Sequence, residues 1–186
     1  MIVVFGLGNP TATYEHTRHN VGFDALNEVA AFFQVKLKKR CFRLYREAKI
    51  TSQNATLVEP LTYMNNSGNV VKYFPQDATY VVVCDNMDLA VGGLRIKKGG
   101  GASGQKGLSS IAQNLGRNDF IRIYIGIGRP AEGVEVVDHV LQREPEGPKK
   151  EALDKAIKDA AMAIVKFVNG VTVEELQLEY NRKGLL

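Results

Sequence analysis

Thr79-Tyr80-Val81-Val82-Val83-Cys84-Asp85 is a run of aromatic and β-branched residues closed by an acid. It reads as a central strand, because such side chains fit a pleated, buried surface. Toward the N-terminus, Ile2 to Gly8 is a second short apolar run that ends in Gly-Asn-Pro, a buried strand passing into a turn. Between the two, Val21, Phe23, Leu26, Val29, Ala30 and Phe33 recur at helical spacing and predict a helix over about 19–33. Arg43 to Thr51 and Ala55 to Glu59 are predicted strands joined by Ser52-Gln53-Asn54. Asn66 or Ser67 is the expected cap of a helix through Val70, Val71 and Phe74, stopped by Pro75.

Toward the C-terminus, Leu94 to Lys97 is a shorter strand that opens into the glycine-rich loop Gly99–Gly107. A helix follows over about 108–115, then a last strand from Phe120 to Ile127. Lys149 to Val168 is a long amphipathic helix ended by Gly170, and Val173 to Asn181 is another. Polar Gln142 to Pro148, with Pro145, Gly147 and Pro148, reads as a hinge or gating segment. Alternating strands and helices predict an α/β fold in a single domain over 1–186. Its sheet is expected to be twisted, mixed and largely parallel, with helices on both faces. The C-terminal helices, about 149–182, would pack on or gate the core.

The 186 residues suit one domain with no need of a metal or disulfide staple. With 45% hydrophobic and 24% charged residues, the composition excludes a disordered or fibrous chain. No apolar run approaches the ~20 residues of a membrane span. Met1 to Gly6 lacks a basic leader and is not read as a signal peptide. Two cysteines, Cys41 and Cys84, form no framework, so a cytoplasmic location is expected. The formal charge is +4, yet Lys36, Lys38, Lys39, Arg40, Arg43 and Arg46 fall in one acid-free stretch. Concentrated charge of this kind suits a surface that meets polyanions, and it equally suits an edge strand defended by lysines.

Several familiar chemistries fail on spacing. Gly6-Leu7-Gly8 would need its third glycine at Thr11, and in Gly99 to Lys106 the lysine comes one place too late for a P-loop. No Gly-x-Ser-x-Gly elbow exists, and Ser103 sits in Gly-Ala-Ser-Gly. Cys84, in mid-strand, reads as an inert buried thiol. His16 and His19 lack a third metal ligand, so no metal site is expected. What remains is a polar set at strand ends: Asn9, His19, Asn20, Asn65, Asn66, Asp85, Asn86 and Asp88. In open α/β sheets, ligands bind at the carboxyl ends of strands. There a histidine could activate a water, an aspartate could fix its tautomer, and carboxamides could hold the water and an oxyanion. Turn and cap roles explain the same asparagines and aspartates.

Gly6-Leu7-Gly8-Asn9-Pro10, Tyr14 and Thr17-Arg18-His19-Asn20-Val21-Gly22 together resemble the bacterial peptidyl-tRNA hydrolase family. So do Pro60-Leu61-Thr62-Tyr63-Met64-Asn65-Asn66-Ser67-Gly68, Asp85-x-x-Asp88 and Ile125-Gly126-Ile127-Gly128-Arg129-Pro130. The resemblance runs in order along nearly the whole chain. It implies hydrolysis of the ester joining a peptide to the 3′ end of tRNA, which recycles tRNA from abortive translation. It implies no cofactor and no metal. By position, His19 matches the base, Asp85 its partner, Asn9 the reader of the peptide's first carbonyl, and Asn65 the holder of water and substrate. Tyr14 and Tyr63 match positions that meet the tRNA end, Met64 an apolar wall, and Asn20 falls with the substrate-binding set. The implied partner is peptidyl-tRNA, held at its acceptor end and 5′ phosphate region by a monomer away from any membrane.

Two places depart from the family pattern. Where the family reads Gly-Gly-x-x-Gly-His-Asn-Gly, this chain has Gln105-Lys106 in place of His-Asn. Gln105 keeps hydrogen-bonding capacity and Lys106 adds a charge that could meet phosphate. The family often has a basic residue two places before Gly126, clamping the 5′ phosphate with a lysine that matches Lys97; here that place is Tyr124. Phosphate binding is therefore expected on Lys97 and Lys106. The alternative is a non-catalytic RNA-binding protein on the same scaffold, like the related plastid splicing factors.

Overall fold

The structure, a computed structural model, describes residues 1–185; Leu186, the end of the expected domain, lies outside them. Its strands are β1 (Ile2–Gly6), β2 (Lys38–Lys39), β3 (Tyr45–Ile50), β4 (Ala55–Pro60), β5 (Thr79–Asn86), β6 (Leu94–Lys98) and β7 (Ile121–Gly126). Its α-helices are α1 (Val21–Phe32), α2 (Lys106–Leu115), α3 (Val136–Leu141), α4 (Pro148–Val168) and α5 (Val173–Tyr180). The strands form one sheet in the order β2-β3-β4-β1-β5-β7-β6. Strands β4, β1, β5 and β7 run parallel, while β2, β3 and β6 pair antiparallel at the two edges. The sheet is thus mixed with a parallel centre.

The period of two decides what each strand buries. Tyr80, Val82 and Cys84 of β5 face Phe5, Val58 and Tyr124 on one side of the sheet, under α2 and the segment Met64–Phe74. Val81 and Val83 face Val4, Leu57 and Ile123 on the other, under α1, α4 and α5. A strand buried on both faces needs no alternation, which is why β5 reads as a continuous apolar run. At one point the backbones touch. A Cβ on Gly6 would sit 2.3 Å from the carbonyl oxygen of Gly22. Two glycines therefore let α1 begin hard against the end of β1.

The helix expected to be capped by Asn66 or Ser67 is a 3₁₀ helix over Met64–Tyr73, whose cap position, Tyr63, lies three residues before Asn66. Ser67 does not cap it; its Oγ donates to the Met64 carbonyl at 2.9 Å, inside the first turn. Helix α2 also starts early, because the Gln105 side chain caps it by accepting from the Leu108 N–H at 3.0 Å. Helix α3 was not expected. The segment Gln142–Pro148 is tied down: the Arg18 N–H donates to Gln142 O at 3.0 Å and the Glu144 N–H to His16 O at 3.0 Å. Helix α4 packs on α1 and β7, and α5 on β6. Among the described residues no helix is long and apolar enough to cross a membrane.

Candidate active site

Strands β4, β1 and β5 are parallel neighbours, so their carboxyl ends share one edge of the sheet. The chain leaves β1 toward β4 and later returns to the other side of β1, and this reversal opens a crevice beyond the strand ends. Into it come Asn9 after β1, Tyr63-Met64-Asn65 after β4, and Asp85 near the end of β5. A 3₁₀ turn, Arg18–Asn20, brings His19 to the same place. These residues line a cavity of 490 Å³, within the usual size for a ligand site.

At its floor, His19 Nδ1 and Asp85 Oδ1 are 2.8 Å apart. Asp85 is 2% exposed, and the same oxygen accepts from Gln105 Nε2 at 2.9 Å. The carboxylate is thus held by two donors, and Gln105 in turn is fixed by capping α2. An acceptor on Nδ1 that cannot itself donate puts the ring proton on that atom, which leaves Nε2 with its lone pair free.

Asn9 is fixed just as fully. Its N–H donates to Asn20 Oδ1 at 2.9 Å, and Asn20 Nδ2 returns a bond to Asn9 O at 3.0 Å. Its own Oδ1 accepts the Met64 N–H at 2.8 Å. With Oδ1 engaged, Nδ2 is the donor left for the cavity that Asn9 lines. Asn65 is exposed on the rim. The apolar lining comes from Val136, Val137, Val140 and Leu141 of α3, with Met64 and Met87. Tyr63 stands at the mouth, its ring edge-on to Tyr14 at 6.3 Å.

Not every expected site residue faces the cavity. Asn20 is 3% exposed and spends both amide atoms on the Asn9 backbone, so it positions Asn9 rather than meeting a ligand. Gln105 does line the cavity, but it is buried and its Nε2 donates to Asp85. Asn86 lines the cavity, but its Oδ1 is occupied by the N–H groups of Asp88 and Leu89 in a turn. Asp88 points away to an ion pair with Arg129 at 2.6 Å. Lys106 is exposed and lines the cavity, whereas Lys97 lies along the glycine loop beside Gly100. Tyr124 is buried and its hydroxyl reaches Gly101 O at 3.5 Å, so it props the loop from beneath. Burial pushes the Cys84 thiol well above its ordinary range, as suits an inert core residue.

Sequence reasoning missed α3, although Val136, Val137, Val140 and Leu141 carry helical spacing. It also missed that Gln105 caps a helix and touches Asp85, which requires knowing that the loop folds over β5.

A family model described as peptidyl-tRNA hydrolase matches residues 3–185. The chain is 43% identical over 167 residues to the peptidyl-tRNA hydrolase of Shouchella clausii, covering 85% of this chain and 90% of that one. It is 39% identical over 175 residues to that of Bacillus subtilis, covering 89% and 93%. A crystal structure of peptidyl-tRNA hydrolase from Acinetobacter baumannii superposes with a TM-score of 0.89 at 30% identity, over 99% of this chain and 96% of that one.

Proposed function

This chain belongs to the peptidyl-tRNA hydrolase family, and from that membership we propose that it cleaves the ester between a peptide and the 3′ end of tRNA with water activated by His19. The observation that carries the assignment of roles is the 2.8 Å contact of His19 Nδ1 with the buried Asp85 carboxylate, at the floor of a cavity lined by carboxamides.

Asp85 accepts the Nδ1 proton, orients the ring and stabilises the imidazolium that forms when Nε2 takes a proton. A water at Nε2 gives up that proton as its oxygen attacks the ester carbon. In the tetrahedral intermediate, charge gathers on the former carbonyl oxygen, where an Asn65 amide N–H can donate. The bond to the ribose oxygen then breaks, and that oxygen leaves with the proton from His19. Asn9 Nδ2 donates to the first peptide carbonyl, a group that an aminoacyl ester with a free α-amine lacks. Met64 and the α3 wall take the apolar parts of the peptide. Tyr63 and Tyr14 meet the RNA end at the mouth, and Lys106 and Lys97 meet its phosphates.

Nothing in the structure favours the RNA-binding alternative, which has no use for a histidine locked to a buried acid. A single-turnover assay with N-acetyl-aminoacyl-tRNA decides. His19→Ala is expected to lose roughly 10²–10⁴ in rate while tRNA binding persists, with His16→Ala as control. Near-normal turnover in His19→Ala would remove the base assignment.

A further inference from the structure

The acid-free basic stretch folds as the β2–β3 hairpin, and its charges divide into two groups. Arg40 pairs with Glu47 at 3.3 Å and Arg46 with Glu59 at 3.1 Å, so these two serve the fold. Lys36, Lys38, Lys39 and Arg43 have no carboxylate partner among the described residues. At the tip, Phe42 is 98% exposed with a φ of 54°, a conformation that costs a bulky residue energy and here gains no core contact. Beside it the Arg43 guanidinium lies over the Tyr73 ring at 4.4 Å from its centroid. Lysines alone would protect a sheet edge; an exposed phenylalanine adds an apolar surface that edge protection does not need.

The hairpin is also tied to the segment that leads into the cavity mouth. The Leu61 N–H donates to Leu44 O at 2.8 Å, and Tyr63, two residues on, stands on the cavity rim. Unpaired cations interleaved with exposed aromatic rings are the chemistry that holds single-stranded nucleic acid, with phosphates on the charges and bases on the ring faces. We propose that the tip of the β2–β3 hairpin is a second contact surface for the RNA of the substrate, with an unpaired base stacked on Phe42 and its flanking phosphates on Lys38, Lys39 and Arg43. The proposal rests on the reading of the substrate as an RNA ester, and it extends the RNA footprint from the cavity mouth along the β2 edge.

Binding of deacylated tRNA is measured by fluorescence anisotropy across a salt series, with KM and kcat for N-acetyl-aminoacyl-tRNA alongside. Phe42→Ala should raise Kd and KM about 5- to 150-fold, the range found for one lost base stack, with kcat unchanged; Phe42→Tyr should restore both. The Lys38→Ala/Lys39→Ala double variant should lower the slope of log K against log salt by roughly two contacts' worth. Unchanged Kd, KM and salt slope in these variants would overturn the proposal. A change of sedimentation coefficient in Phe42→Ala without a change in tRNA affinity would also overturn it, and would make the tip a protein-docking surface. Wild-type protein that binds tRNA with this salt dependence yet leaves the ester intact would refute the hydrolase reading and not the hairpin contact.

Discussion

Asp85 Oδ1 accepts from both His19 and Gln105, so one oxygen joins His19 to the glycine loop. Replacing Gln105 with Leu removes a donor from a buried carboxylate and the cap of α2 together. A stability loss of about 2–3 kcal/mol is expected, because a bond to a charged group is lost and a buried acceptor loses a partner. Turnover should fall with it, whereas Gln105→His, which keeps a donor, should retain more of both. Urea midpoints and kcat of the two variants check this; equal behaviour would show that the bond to Asp85 is incidental. Asn9 yields a specificity expectation of the same kind. With Oδ1 held by the Met64 N–H, its Nδ2 has a fixed direction, so N-acetyl-aminoacyl-tRNA should be cleaved and free aminoacyl-tRNA spared. Equal rates on the two substrates would contradict that role.

The glycine-rich segment between β6 and α2 carries Gln105-Lys106, one of the two departures from the family pattern, and packs on Tyr124 of β7, the other. Gly99, Gly100 and Gly104 take positive φ, which lets the backbone turn back over β7, and Tyr124 supports it from below. A buried tyrosine offers no charge to a phosphate, so the proposed phosphate contacts fall to Lys106 on the loop and Lys97 on the adjoining strand. Neutralising Lys97 or Lys106 should raise KM more than it lowers kcat, since these groups bind ground and transition states alike. Each should also reduce the salt dependence of KM by roughly one phosphate contact. KM against salt for Lys97→Ala, Lys106→Ala and wild type tests it; parallel lines with unchanged intercepts would show that neither lysine touches RNA.

On the scale of the whole molecule, the packing of α1 against α4 and the Gln142–Pro148 segment encloses Asp24. Burial, reinforced by Glu144, pushes its carboxyl up to about 7, and its Oδ2 finds no partner. An unfolded aspartate ionises near ~3.9. Between about pH 4 and 7 the folded state therefore binds the extra proton, and stability from this residue falls as pH rises through that window, then levels off. Asp24→Asn removes the charge and keeps the shape. It should leave stability nearly unchanged at pH 4 and raise it at pH 8 by up to about 4 kcal/mol, read as a higher Tm. A gain that is the same at both pH values would show that the Asp24 charge is not its source.

What the sequence determined by itself was whatever is local or periodic. Apolar runs placed β1 and β5, helical spacing placed α1 and α4, and contiguous motifs singled out His19, Asp85, Asn9 and Asn65, which line one cavity. The antiparallel edges, the 3₁₀ character of Met64–Tyr73 and the α3 wall were decided by tertiary structure, because register and close packing depend on partners far along the chain. The roles of Asn20 and Gln105 were decided there too. Asparagine favours helix caps by local preference, yet Asn20 makes no cap bond; glutamine does not favour them, yet Gln105 caps α2. The bonds from Asn20 to Asn9 and from Gln105 to Asp85 exist only once α1 and the glycine loop pack against strand ends β1 and β5. Short motifs carry chemistry, but a hydrogen bond needs two groups brought within about 3 Å, and only the folded chain does that.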